Sequence, residues 1–468
     1  MKQLTIAASI IATTLLTPTL SHAADELGEK YKSSFTDLFT ENKLSGGIFY
    51  FQRERDRIDG GPTGTHKYQS NLNHATSQLS LNYNSGYAWG VLGFDLGGFG
   101  AYDLAVDESN PVNEENEFSF LSDSWGDHST TDGLPDNGVS INNAHLKFRL
   151  FDEHVTGKLG LAALTVPGIM GVNWSYQPGA YRGAQIEGLS GNLYLTYAYA
   201  DKYKAPWFKN LVGFSKAQRT ALDNFSEENQ IDYIHGLAAR YNFSDKTSVT
   251  TSLGQSQGYM DSYHFKLAHT FAELGDIATS YQFYGSETSN DDYDGLAWQQ
   301  ALTSAWQMGP YGFRVEGLWT KAEGKLGNYM TRMTRDHGNS AGANEIWWDS
   351  RSDWNADNEK AIFAGITRTL DDLVSAPGWS VGVSGAYGWD AEYQWQNNNY
   401  SGADEWALNF DVLYTVPQGS LKGTVFKLHY TNYNNDTADD IGSWQYPNMF
   451  SSEHDVKFHI MMPLIIID

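Results

Sequence analysis

The chain has 468 residues, no cysteine and a formal net charge of −25. The absence of cysteine excludes disulfide and thiolate chemistry, and the charge argues against nucleic acid as a partner, because an acidic surface repels phosphate. Beyond the N-terminus no apolar run reaches the about 18 residues of a spanning helix, so entry into a membrane requires a closed β-barrel, whose backbone groups are all paired.

Taken in order, the chain opens with Met1 and Lys2, an apolar stretch over 4–16 and the small-x-small close Ser21, His22, Ala23. That pattern predicts a signal peptide over 1–23 and leaves 24–468 as a single barrel domain. The absence of cysteine in an exported chain fits a Gram-negative envelope. At 52–57 the sequence QRERDR closes the first strand, and alternation puts Arg53, Arg55 and Arg57 on one face and Glu54 and Asp56 on the other. Neither face suits lipid, where a mid-membrane Arg costs about 2–4 kcal/mol, so these charges belong to the water interface or the lumen.

A long acidic connection is expected over 105–138 and a short one over 151–154. The stretch 172–182, VNWSYQPGAYR, either folds into the lumen and presents Trp174, Tyr176 and Arg182 to solute, or forms an ordinary outer loop. From 193 to 200, Leu193, Leu195, Tyr197 and Tyr199 share one face, with Tyr194, Thr196, Ala198 and Ala200 opposite. Long connections follow over 209–230, 322–358, 390–404 and 434–453. They alternate with short ones over 243–246, 273–276, 309–310 and 417–420, rich in turn formers.

Within the 322–358 connection, 345–360 reads EIWWDSRSDWNADNEK. Indole faces and paired polar groups suit a saccharide path, so Trp347, Trp348, Asp349, Arg351 and Asp353 join the candidate solute path; an interfacial anchor beside a loop salt bridge is the competing reading. Alternation resumes over 379–389, 426–431 and 456–466, with charges on one parity. Counting alternating segments gives 16 to 18 strands, an all-β transmembrane antiparallel barrel with long outer loops and short periplasmic turns. The high aromatic content fits membrane girdles and equally a soluble glycan-binding β-protein.

No phosphate-binding glycine loop and no His-Glu-x-x-His helix appears in the sequence, so no cofactor and no metal is expected. Asp349 with Asp353, or Asp291 with Asp292, could be offered as a glycosidase pair, but acidic runs in loops are ordinarily solvated, and the reading is a non-enzyme.

Nine phrases carry a family resemblance: SGGIFYFQRERDR (45–57), NWSYQPGAYRGA (173–184), YKAPW (203–207), GQSQGYMDSY (254–263), TSYQFYG (279–285), YDGLAWQQALT (293–303), EIWWDSRSDWNADNEKA (345–361), GTVFKLHYTNY (423–433) and DVKFHIMMPL (455–464). On these the chain resembles the OprD-type outer-membrane porins and, within them, chitoporins of the enterobacterial monomeric type. The resemblance implies an 18-stranded monomer that passes chito-oligosaccharides by facilitated diffusion, embedded in outer-membrane lipid and lipopolysaccharide after insertion by the barrel-assembly machinery. One departure is the C-terminus, Ile465, Ile466, Ile467, Asp468, where such barrels usually end in an aromatic residue. Two other readings stand beside it: a barrel for cationic amino acids, peptides or other small nutrients, and a secreted soluble glycan-binding or glycan-hydrolysing β-protein.

Overall fold

The computed structural model describes residues 34–57, 72–106, 118, 120, 137–173, 175–217, 227–335, 338–373, 377–395, 398–435 and 452–467. The expected signal peptide and Trp174 lie outside the described residues, as does most of the acidic connection after residue 106.

A single helical turn, α1 (Asp37–Thr40), precedes the strands. These are β1 (Lys43–Arg57), β2 (Leu72–Asn84), β3 (Leu92–Val106), β4 (Gly138–Leu150), β5 (Val155–Ala162), β6 (Ala180–Ser190) and β7 (Leu193–Lys204). The two-residue pieces β8 (Phe214–Ser215) and β9 (Gln230–Ile231) pair within the next loop. The wall continues with β10 (Ile234–Ser244), β11 (Thr247–Ser256), β12 (Met260–Phe271), β13 (Ile277–Thr288), β14 (Ala297–Met308) and β15 (Tyr311–Lys321). It ends with β16 (Lys360–Thr369), β17 (Trp379–Trp395), β18 (Asn398–Thr415), β19 (Val425–Asn435) and β20 (Glu453–Ile467).

All but β8 and β9 form one 18-stranded antiparallel sheet, and β20 pairs back onto β1 from Arg57↔Glu453 to Leu44↔Ile467, which closes it. Closure leaves no unpaired edge, the condition for a sheet in lipid. Ile467 and Ile465 pair with Leu44 and Ser45 in this ladder.

Burial is inverted relative to a water-soluble protein. On β7, Leu195 and Tyr197 are 44% and 40% exposed while Thr196 is 2% exposed. The same holds on β11, where Leu253 is exposed and Ser252 buried, and on β18, where Phe410 is exposed and Asn409 buried. In water, such a continuous apolar belt would be a vast sticky patch; in lipid it is the required outer surface, with polar residues around the lumen. The parities read from 193–200, 277–284, 379–389 and 456–466 are those observed.

Several loop boundaries differ from expectation. The stretch 390–404 is not a loop, because β17 and β18 run on for 17 and 18 residues and pair as far as Trp395↔Asn398. A tilted strand needs only about 9–11 residues to cross the hydrocarbon. The surplus rises into water, where neither face must be apolar, and so it loses the alternation that marks a strand in sequence. The connection expected at 417–420 spans 416–424, and β11 joins β12 through only 257–259 on the long-loop rim.

The long loops do not stand free above the barrel. Leu164, Val166, Ile169 and Met170 of the β5–β6 loop cluster with Trp207, Phe208, Tyr259, Tyr293, Met330 and Met333 from four other connections. The β5–β6 and β15–β16 loops meet at the bridge Gly171↔Ala341, and Tyr181 Oη donates to the Ala341 carbonyl at 2.9 Å. A Cβ on Gly342 would lie 1.5 Å from the Thr331 carbonyl oxygen, so this turn of the β15–β16 loop requires glycine.

Candidate functional site

Along the inner wall the charged side chains cluster at the seam where the barrel closes. Arg53 and Arg55 occupy inward positions of β1, while Glu54 and Asp56 are exposed on the other face, which answers the question left by alternation alone. Arg53 Nε and Nη2 donate to the two Asp455 oxygens at 2.9 and 2.7 Å, a bidentate pairing. Arg55 Nη2 reaches Asp455 at 2.9 Å, and Arg55 Nε reaches Glu453 at 2.9 Å.

The β15–β16 loop enters this network from inside. Its segment 344–352 lies against the inner faces of strands from β12 to β20. Asn344 donates to Gln299 at 3.0 Å, and Glu345 pairs with Lys266. The Trp347 carbonyl accepts from Arg314 at 3.2 Å, and Trp348 Nε1 donates to Glu316 at 2.7 Å. Asp349 meets Lys457 at 2.7 Å, Lys427 at 3.3 Å and His429 at 3.5 Å. Arg351 meets Glu453 at 2.8 Å, and Ser352 donates to Glu405 at 2.8 Å. Burial alone would raise the Asp349 carboxyl, but His429, Lys457 and Lys427 together hold it well below the usual carboxylate range.

The two adjacent indoles have different fates. Trp348 is buried and packs on Phe363 with ring centroids 5.2 Å apart and on Trp354 at 5.5 Å. It anchors the loop, whereas Trp347 keeps 38% of its surface exposed. Asp353 is exposed in the same loop, four residues from Asp349.

Further along the same β1–β20 seam, Tyr176 of the β5–β6 loop hydrogen-bonds His459 Nδ1 at 2.5 Å and donates to the Tyr50 carbonyl at 3.2 Å. Its ring stacks on Phe49 at 4.8 Å and lies 4.5 Å from Phe118. This loop therefore does fold inward. Arg182, expected on the solute path, does not: Tyr181 takes the inward position, the register shifts between Arg182 and Gly183, and Arg182 pairs on the outer surface with Asp201 at 2.7 Å.

Sequence reading missed Asp411, Glu405, Glu453 and Asp455 as partners, although each is a charge at an inward strand position, which was the available signal. The offered acid pairs are otherwise engaged: Asp291 binds Lys325, and Asp292 accepts from Tyr259 at 2.8 Å. Among the described residues no group of three or more His, Asp or Glu is placed to hold a metal ion.

A family model described as outer membrane porin, OprD family, matches residues 40–444. A curated relative, the chitoporin of Escherichia coli (strain K12), is 36% identical over 455 residues, covering 91% of this chain and 92% of the relative. Among solved structures, Acinetobacter baumannii OccAB1 aligns with a TM-score of 0.73 at 15% identity, covering 94% of this chain and 100% of that one. Pseudomonas aeruginosa OpdK, solved with vanillate, gives 0.70 at 16%, and a BenF-like porin from Pseudomonas fluorescens Pf-5 gives 0.70 at 17%, each covering 92% of this chain and 100% of its own. At these identities the solved structures speak for the fold alone.

The reading as a secreted soluble β-protein is overturned by the closed sheet and its outward apolar belt. A match over most of the chain to the porin model, on an 18-stranded barrel with a polar interior, means that this protein belongs to the OprD family of outer-membrane porins, as a multi-pass barrel of the Gram-negative outer membrane.

Proposed function

We propose that the pore carries chitin-derived oligosaccharides by facilitated diffusion. The observation that carries this reading is the exposed indole of Trp347 beside a wall whose seam cations, Arg53, Arg55, Lys427 and Lys457, each already face a carboxylate. A neutral N-acetylated sugar offers C–H faces to rings and hydroxyl and amide groups to fixed polar partners, and it does not need an unpaired charge. The 36% identity to a chitoporin supports the same cargo. Arg53, Arg55, Tyr176, Trp347, Asp349, Arg351 and Asp353 are the described members of the path, with Trp348 acting through the loop it anchors.

Liposome swelling with chito-oligosaccharides, maltodextrins, arginine, lysine and short peptides separates this reading from the cationic-nutrient one, which the net charge of −25 favours. Preferential swelling in the chitin series is expected; faster entry of arginine and lysine would reverse the assignment. Trp347→Ala should weaken sugar block by about 1–2 kcal/mol, roughly a 5–30-fold rise in blocking concentration, with unchanged open conductance.

In the same reading residues 1–23 direct export and are removed, and 24–468 form one domain that the barrel-assembly machinery inserts among lipopolysaccharide as a monomer. The intact mass of protein extracted from outer membranes should correspond to a start at Ala24, and a mass that retains Met1 would refute this.

A further inference from the structure

We propose that Asp349 sets the charge preference of the pore by cancelling a basic group on the β19–β20 wall. The inference rests on the porin fold and not on the identity of the cargo. Three inward side chains, Lys427, His429 and Lys457, converge on this one loop carboxylate at 3.3, 3.5 and 2.7 Å. Their other acidic neighbours are already shared. Lys427 and His429 both lean on Asp411, at 3.3 and 2.9 Å. Lys457 has Asp455 only at 3.8 Å, and that carboxylate is held at 2.7 and 2.9 Å by Arg53 and Arg55.

Among the described residues, removing the charge of Asp349 therefore leaves Lys457 with Asp455 alone, at 3.8 Å and shared with two arginines, and Lys427 with Asp411 alone. The uncovered ammonium groups then lie where the inner wall meets bore water, in a low-dielectric rim that focuses their field on passing ions. Among the described residues Asp349 is the loop acid that reaches both lysines. A porin with Asp349 ionised presents a neutral rack, and the same porin without it presents a cationic surface suited to carboxylates and chloride.

The test is the reversal potential of single channels in planar bilayers under a potassium chloride gradient, for the parent, Asp349→Asn, Lys457→Gln and the double variant. Asp349→Asn keeps the side-chain shape and is expected to move the potassium-to-chloride permeability ratio several-fold toward chloride. Lys457→Gln should move it toward potassium, and the double variant should return close to the parent. If Asp349 served only to tether the loop, Asp349→Asn would change conductance or noise with the reversal potential unmoved, and that result overturns the proposal. An unchanged potential in Lys457→Gln does so as well, which keeps the test decisive should Asp349→Asn fail to assemble. Block by chitohexaose, recorded on the same channels, reports on the cargo separately.

Discussion

Asp455→Ala is expected to destabilise the barrel by about 3–5 kcal/mol, the range for removing one partner from a buried ion pair. Asp455 receives two nitrogen donors of Arg53, Nε and Nη2, and one from Arg55, and the three side chains are between 0% and 3% exposed. Without the carboxylate, two buried guanidinium groups lose a shared counter-ion, and among the described residues Arg351 competes with Arg55 for Glu453 at 2.8 Å. The loss falls on the β1–β20 ladder, the contact that converts a sheet into a barrel. The readout is the temperature at which the folded band gives way to the unfolded band on unboiled gels, or the urea midpoint by tryptophan fluorescence. Asp455→Asn should lie between alanine and the parent, because it retains acceptors and loses charge. A midpoint for Asp455→Ala equal to that of the parent would show that the seam is held by backbone pairing alone.

Raising the pH from about 5 to 8 is expected to loosen the β15–β16 loop at its root. Glu359 and Glu405 are both 1% exposed, and the donors they meet are neutral: the Ala356 amide at 2.9 Å for Glu359 Oε2, and Ser352 and Tyr433 for Glu405. Burial pushes the Glu359 carboxyl up from 4.5 to about 7, so near neutral pH the pair retains a proton that isolated carboxylates would have lost. For an acid raised on folding, stability is complete below the unfolded value of 4.5 and declines as pH rises through about 7. The penalty reaches a few kcal/mol, since each pKa unit corresponds to about 1.4 kcal/mol. Gating noise in single-channel records, or hydrogen exchange across 350–359, should therefore increase with pH. Glu359→Gln should abolish that dependence and keep the loop quiet at pH 8. Equal noise at pH 5 and pH 8 in the parent would contradict the shared-proton arrangement.

The barrel wall was legible because lipid outside and water inside force a period of two on every crossing strand. Leu195 and Tyr197 against Thr196, or Val383 and Tyr387 against Ser384, are therefore readable without any partner. The logic failed where the constraint ends, at 390–395, since a strand pair standing in water can be polar on both faces. The candidate site was legible as composition and not as geometry. Trp347 and Trp348 are neighbours in the same loop, and which one anchors and which one faces water depends on Phe363 and Glu316, supplied by β16 and β15. Asp349 reads like any solvated loop acid, because Lys427 and Lys457 lie 78 and 108 positions away. Arg182 was misplaced because 172–182 reads as one irregular piece, whereas β6 already begins at Ala180 and its alternation turns Tyr181 and Gln185 inward and Arg182 outward.

Single-channel recording of the purified, reconstituted protein, with chitohexaose and maltohexaose added in turn, tests the central claim most directly. The expected result is a steady ionic current interrupted by concentration-dependent closures with chitohexaose and undisturbed by maltohexaose. A current indifferent to both sugars would leave a porin of another cargo, and the absence of any current would contradict the open, water-filled bore itself.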